Sequence, residues 1–208
     1  MKSKEFVARL YDAATNYKTL YVRGCFGAPM TEKNKERYIK ANSWNATEER
    51  AAMIRAATKD TFGFDCVCLL KGILWGWNGN VNKTYGGAVY ESNGVPDLSY
   101  DAFAKKCPDL TSDWSKKLDP GEIVVTDGHI GAYIGNGLCV ESTPKWANKV
   151  QITACGNLGE VSGYPTRTWL KHGHSPYIDY SDLTPPAVDW EAKYKQLKAA
   201  VQEALDDN

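Results

Sequence analysis

The run Thr61–Gly72, TFGFDCVCLLKG, restricts the fold more than any other stretch of the 208-residue chain. Gly63 and Phe64 lead into Asp65 and Cys66, and an apolar run from Val67 to Leu70 follows without a break. Aspartate directly before such a run marks a helix start. A loop therefore enters a helix here, with Asp65 as its cap, Cys66 in its first turn and its end near Trp75. The free amide N–H groups and the positive end of the helix dipole favour a thiolate at Cys66. A thiolate is the form that attacks carbonyl carbon. On this stretch alone a packed, inert cysteine is the competing reading, because free cysteines are among the most buried residues.

The elements around this helix can be read in order. Phe6, Val7, Leu10, Tyr11 and Ala14 recur at helical spacing and predict an amphipathic helix over 4–16. Tyr17–Met30 is broken by Gly24, Gly27 and Pro29 and reads as a loop or a short extended piece. Thr31–Tyr38 and Thr47–Lys59 are polar helices. Trp75–Pro96, rich in Gly, Asn and Tyr, is a long loop of the kind that binds ligands. Asp101–Cys107 is a short helix. Strands follow at Glu122–Thr126, His129–Ile134, Leu138–Thr143, Val150–Thr153 and Tyr177–Tyr180. Helices followed by antiparallel strands predict an α+β fold. Thr184-Pro185-Pro186 marks a boundary, dividing the chain into a domain over 1–181, a linker over 182–188 and an amphipathic helix over 189–208. The stripe Trp190, Tyr194, Leu197, Val201 and Ala204/Leu205 has the step of a coiled-coil seam and is buried either by docking on the domain over 1–181 or by pairing in a homo-oligomer, which the proline spacer and regular step favour.

Composition removes several function classes. The 25 basic and 25 acidic residues cancel, so nothing points to a nucleic-acid footprint and no nucleic-acid partner is expected. No segment has the length and apolarity of a membrane span, and the N-terminus lacks the apolar core of a signal peptide. The reading is a chain made in a reducing cytoplasm with free thiols at Cys25, Cys66, Cys68, Cys107, Cys139 and Cys155. The 7 Trp and 12 Tyr sit beside Gly, Asn and Pro, which suits an open cleft for sugars or peptides.

A base for the thiol lies at His129, and the hairpin His129–Thr143 decides whether it has an acid beside it. A plain two-residue turn at Asn136-Gly137 sets Glu141 opposite Ala132, facing away from His129. A three-residue loop, Gly135–Gly137, sets Glu141 opposite Gly131, on the face of His129 and diagonal to it. Cys66, His129 and Glu141 would then form a nucleophile, base and orienter. The plainer readings are a hydrogen-bonded strand histidine and an exposed rim carboxylate.

These residues carry a resemblance. GFDCVCLLKG (63–72) is similar to the nucleophile motif of the NlpC/P60 cysteine peptidases, where Phe-Asp-Cys opens the catalytic helix. HIGAYIGNGLCVES (129–142) resembles that family's histidine hairpin, whose third catalytic group falls twelve positions on, at Glu141. Tyr21-Val22-Arg23-Gly24-Cys25 resembles a segment whose tyrosine lines the substrate groove. ESTPKWANKVQITACGN (141–157) and YPTRTWLKHGHSPY (164–177) are similar to a subgroup of phage and gut-bacterial lysins. Residues 4–180 take part. Val67-Cys68 stands where the family has Ser-Gly, and the glutamate is closer to the related CHAP amidases.

The resemblance implies a papain-like NlpC/P60 fold and hydrolysis of peptidoglycan by a chain that acts on the bacterial wall after release. Cys66 would attack an amide of the cell-wall peptide, His129 would hold the thiolate as an ion pair, and Glu141 would fix the imidazole tautomer. Tyr21, Asp65 and Trp75 would contact substrate, and Trp75, Trp77 and Tyr85 either border the groove or are buried. The bond would be internal to the peptide (endopeptidase) or its link to muramic acid (amidase). No cofactor and no metal are expected. The rival readings are a wall-binding module without catalysis, an acyltransferase of the same fold, and zinc held by Cys66, Cys68, His129 and Cys139. His172-x-His174 could hold a metal from one strand face, but beside Gly173 it reads as surface loop.

Overall fold

The computed structural model describes residues 1–183. In chain order its elements are α1 (Ser3–Thr15), β1 (Thr19–Tyr21), β2 (Phe26–Pro29), α2 (Glu32–Ala41), α3 (Glu48–Ala56), β3 (Phe62–Phe64), α4 (Cys66–Leu74), α5 (Tyr100–Ala104), β4 (Ile123–Thr126), β5 (His129–Gly135), β6 (Leu138–Thr143), β7 (Lys149–Cys155), β8 (Thr166–Arg167) and β9 (Lys171–Gly173). The fold is α+β. The expected Pro185-Pro186 linker and the helix over 189–208, with its part in self-association, lie outside the described residues.

α4 is the centre of the molecule. All nine of its residues are buried, as a helix apolar on every side must be. It packs on β5 and β6 on one side and on β2, α1 and α5 around the rest. Gly72 permits the approach to β2, since a Cβ there would lie 2.8 Å from the Phe26 carbonyl oxygen. Asp65 caps the helix as its sequence position predicts, accepting the Cys68 N–H at 2.7 Å.

Six strands form the main sheet in the order β8-β7-β6-β5-β4-β9, antiparallel except for the β7–β8 pair. A second sheet, β1-β3-β2, is built from segments that read as loop. Tyr17–Met30 supplies β1 and β2, and β3 is the Phe62-Gly63-Phe64 run ahead of the α4 cap. β1 and β3 pair in parallel, Thr19 with Phe62 and Tyr21 with Phe64. That pairing depends on residues more than forty positions apart, so local pattern does not carry it. Tyr177–Tyr180 is not the expected strand. Asp179 forms a single bridge with Lys2, and a 3-10 turn covers Tyr180–Asp182.

The long segment after α4 is folded back on that helix. The Trp75 indole N–H donates to the Val95 carbonyl at 2.8 Å. Lys71, buried in α4, pairs with the Asp97 carboxylate and donates to the Leu98 carbonyl at 2.8 Å.

Candidate active site

The register of the β5–β6 hairpin assembles the site. Ala132 pairs with Val140 and Tyr133 with Cys139, so Gly131 faces Glu141. The sequence offered this register through a three-residue loop, but the chain reaches it another way. A tight turn at Asn136-Gly137, both with positive φ (53° and 74°), follows a bulge between Tyr133 and Gly135 that supplies the extra residue. Gly131 leaves the space between His129 and Glu141 open. A Cβ there would lie 2.9 Å from Trp169 Cη2 and 3.3 Å from Glu141 Cβ.

His129 Nε2 and Glu141 Oε2 are 2.6 Å apart. Glu141 is not a rim charge but has no solvent exposure, and His129 retains 9 %. A buried carboxylate needs more than one partner, and Glu141 has three. Thr153 Oγ1 donates to its Oε1 at 2.9 Å, and Arg167 Nε donates to the same oxygen at 2.8 Å. Burial raises the Glu141 carboxyl, but the hydrogen bonds from His129 and Arg167 outweigh it and hold the group below its ordinary value. Trp169 stacks on the imidazole at 5.7 Å between centroids, with 13° between planes. Arg167 lies between Trp169 and the exposed Trp146, at 5.5 and 5.0 Å. Thr153, Arg167 and Trp169 were not foreseen. Their one sequence signal is the period-two pattern that puts Glu141, Thr153 and Arg167 on one face of neighbouring strands.

Cys66 opens α4 with its thiol against the backbone N–H of Ile130, the residue after His129. Two effects oppose the thiolate expected from the helix dipole. Burial first, and the Asp65 carboxylate second, push the Cys66 thiol up to about 12 against the N–H groups of Val67, Ile130 and Cys66. Among the described residues Cys66 and His129 make no hydrogen bond to each other. Imidazole Nδ1, the nitrogen not used by Glu141, has no hydrogen-bond partner there either. Ser142 Oγ donates to the Phe64 carbonyl at 2.9 Å, tying the strand that carries Glu141 to the residue before Asp65.

The three expected substrate contacts fare differently. Tyr21 is at the site. Burial raises its phenol well above the ordinary range, with Cys66 and Asp65 adding to the effect and Arg23 opposing it. Its ring packs edge-on against Trp44 at 5.4 Å. Asp65 is a structural cap, since one oxygen takes the Cys68 N–H and the other takes the Gly24 N–H at 2.8 Å. Trp75 does not border a groove. It is 2 % exposed, wedged against Phe26 and Tyr90, because its bulk fills the space under the folded-back loop. Trp77 is buried likewise. The zinc set does not converge, because Cys68 packs in the core around α4 while Cys139 packs with Tyr133, Cys155 and Trp169 behind the sheet. All six cysteines are free. His172 does not sit in a surface loop. It lies on β9, buried, with Nδ1 2.5 Å from Glu122 Oε2.

No described helix is long and apolar enough to cross a membrane. No family model matches the sequence, and no curated protein is significantly similar to it. The arrangement itself offers a thiol, an imidazole of fixed tautomer and a shielded carboxylate. The Asp65 cap takes the Cys68 N–H, so the Cys66 and Val67 N–H groups are not consumed by it.

Proposed function

We propose that the chain is a thiol hydrolase of the NlpC/P60 kind, with a papain-like arrangement, that cleaves an amide of cell-wall peptide. The observation that carries this reading is the buried His129–Glu141 pair at 2.6 Å, built on the strand whose next residue, Ile130, meets the Cys66 thiol. His172, the other buried strand histidine on a carboxylate, has both ring nitrogens bonded, whereas His129 has no partner for Nδ1 among the described residues. The choice of peptidoglycan rests on the resemblance of residues 63–72 and 129–142 to that family.

The resting thiol is neutral in this reading, so His129 acts as general base rather than as half of a standing ion pair. Glu141, bonded to Nε2, keeps the second proton there and leaves Nδ1 as the acceptor. Substrate binding brings Nδ1 to the Cys66 S–H. The sulfur then bonds to the amide carbonyl carbon while the proton passes to Nδ1. The Cys66 N–H receives the developing oxyanion, with Tyr21 as a second donor. Collapse breaks the C–N bond, and the imidazolium gives its proton to the leaving amine. Water, deprotonated by the same nitrogen, releases the acyl group and restores the thiol.

Mass spectrometry of peptidoglycan digested by the full chain tests the assignment. New amino termini within the peptide identify an endopeptidase, and free lactyl groups on muramic acid identify an amidase. Unchanged muropeptides, or glycan cleavage alone, would remove the proposal.

A further inference from the structure

A second group of titratable side chains lies where β4 begins and β9 ends. The His174 ring is fixed from one side by Asp109, whose Oδ2 is 2.6 Å from Nδ1 and whose Oδ1 accepts the His174 backbone N–H at 2.8 Å. Its other nitrogen, Nε2, faces Asp119 Oδ2 at 3.2 Å and Glu122 Oε1 at 4.0 Å. Glu122 is buried and held in turn. Its Oε2 meets His172 Nδ1, and His172 Nε2 donates to the Asp113 carbonyl at 2.8 Å.

The spacings on the two sides of His174 differ in kind. Charge-assisted N–H···O bonds run about 2.7–2.9 Å or shorter, and the Asp109 side fits. Two ligand atoms each about 2.1 Å from a shared ion lie about 3.0 Å apart at a right angle, about 3.4 Å at a tetrahedral angle, and farther as the angle opens. The Nε2 side falls in that second range. Nε2, an Asp119 oxygen and a Glu122 oxygen all lie within 4.8 Å of one another. Charge points the same way. Three carboxylates face two imidazoles, so these five side chains hold net negative charge even with both rings protonated. One of the carboxylates, Glu122, is 3 % exposed, and its Oε1, which accepts the Asp119 N–H at 2.6 Å, keeps a second lone pair for an ion.

We propose that Asp119, Glu122 and His174 bind a divalent transition-metal ion, with Zn²⁺ the best fit. One imidazole and two carboxylates suit a borderline ion better than Ca²⁺ or Mg²⁺. Asp109 on His174 and His172 on Glu122 supply the outer contacts that orient ligands in such centres. The ion serves as a staple between the 109–122 segment and the β9 edge of the sheet. It takes no part in the thiol chemistry, because β4 separates Glu122 from the His129 end by about 13 Å. The proposal therefore stands whether or not the chain is a hydrolase.

The test is calorimetric titration of the full chain with ZnCl2 after chelator treatment and dialysis, with melting temperature as a second readout. One ion per chain with micromolar or tighter affinity, and a higher melting temperature, are expected. Asp109→Asn should weaken binding about 10–100-fold, His174→Gln should abolish it, and Cys66→Ala should leave it intact. Circular dichroism checks each fold, and Asp119→Asn reads the same ligand set if His174→Gln does not fold. Failure to saturate at micromolar zinc would overturn the proposal. So would binding that survives both ligand variants or disappears in Cys66→Ala.

Discussion

Arg167 Nε lies 2.8 Å from Glu141 Oε1, so the carboxylate that orients His129 is itself oriented by a guanidinium from β8. Arg167→Met should destabilise the fold by about 2 kcal/mol, the scale of a hydrogen bond to a charged group. It should slow wall lysis on the order of 10-fold, since ~1.4 kcal/mol of lost orientation corresponds to that factor. Arg167→Lys should not rescue it, because a lysine ammonium cannot reproduce the Nε donor fixed between two tryptophans. Urea denaturation and lysis rates of both variants measure this.

Acid stability should report the same carboxylate. Glu141 titrates below its ordinary value in the folded chain. Its contribution is therefore complete above the unfolded value of about 4.3 and is lost as pH falls through the folded one. The melting temperature should drop below about pH 4, and Glu141→Gln should flatten that part of the profile. An identical acid limb in wild type and Glu141→Gln would contradict the assignment.

The raised Cys66 thiol makes a kinetic prediction. Iodoacetamide labelling of Cys66 should climb about 10-fold per pH unit from pH 7 to 9, following the thiolate fraction. A standing thiolate–imidazolium pair would instead give a plateau that persists into mildly acidic solution. Peptide mapping after limited labelling should find Cys66, the first residue of α4, modified before Cys68, whose thiol burial pushes well above its ordinary value.

Gly131→Ala tests the hairpin packing. The new methyl would sit 2.9 Å from both Trp169 Cη2 and the Val140 carbonyl oxygen. Destabilisation of about 1–3 kcal/mol is expected, with a larger fall in lysis than the stability loss explains, because Trp169 stacks on His129. Chemical denaturation and lysis at a temperature where the variant remains folded separate the two effects.

Much of this site could be read in the sequence, for identifiable reasons. Asp65 before an apolar run fixes a cap, and twelve positions with a Gly-Asn-Gly turn bring Glu141 toward His129. The turn was legible but the bulge was not, because it depends on how Tyr133 and Gly135 pair with the facing strand. Arg167 escaped notice because β8 has two residues and pairs in parallel with β7. Trp75 could be read as groove or as core, because a tryptophan among glycines and asparagines suits either; the loop folds back and buries it. At the helix start the sequence shows the amides that favour a thiolate but not the burial of Cys66, which with the Asp65 carboxylate raises the thiol against them.

The most direct test of the thiol mechanism is the rate at which solubilised fragments leave purified cell walls. It should be measured for the wild-type chain, Cys66→Ala, His129→Ala and the double variant at equal folded concentration. The mechanism predicts that each single variant loses at least ~10³-fold and that the double variant is little worse, because nucleophile and base act as one unit. Lysis by Cys66→Ala at a rate comparable to wild type, or losses that multiply in the double variant, would contradict it.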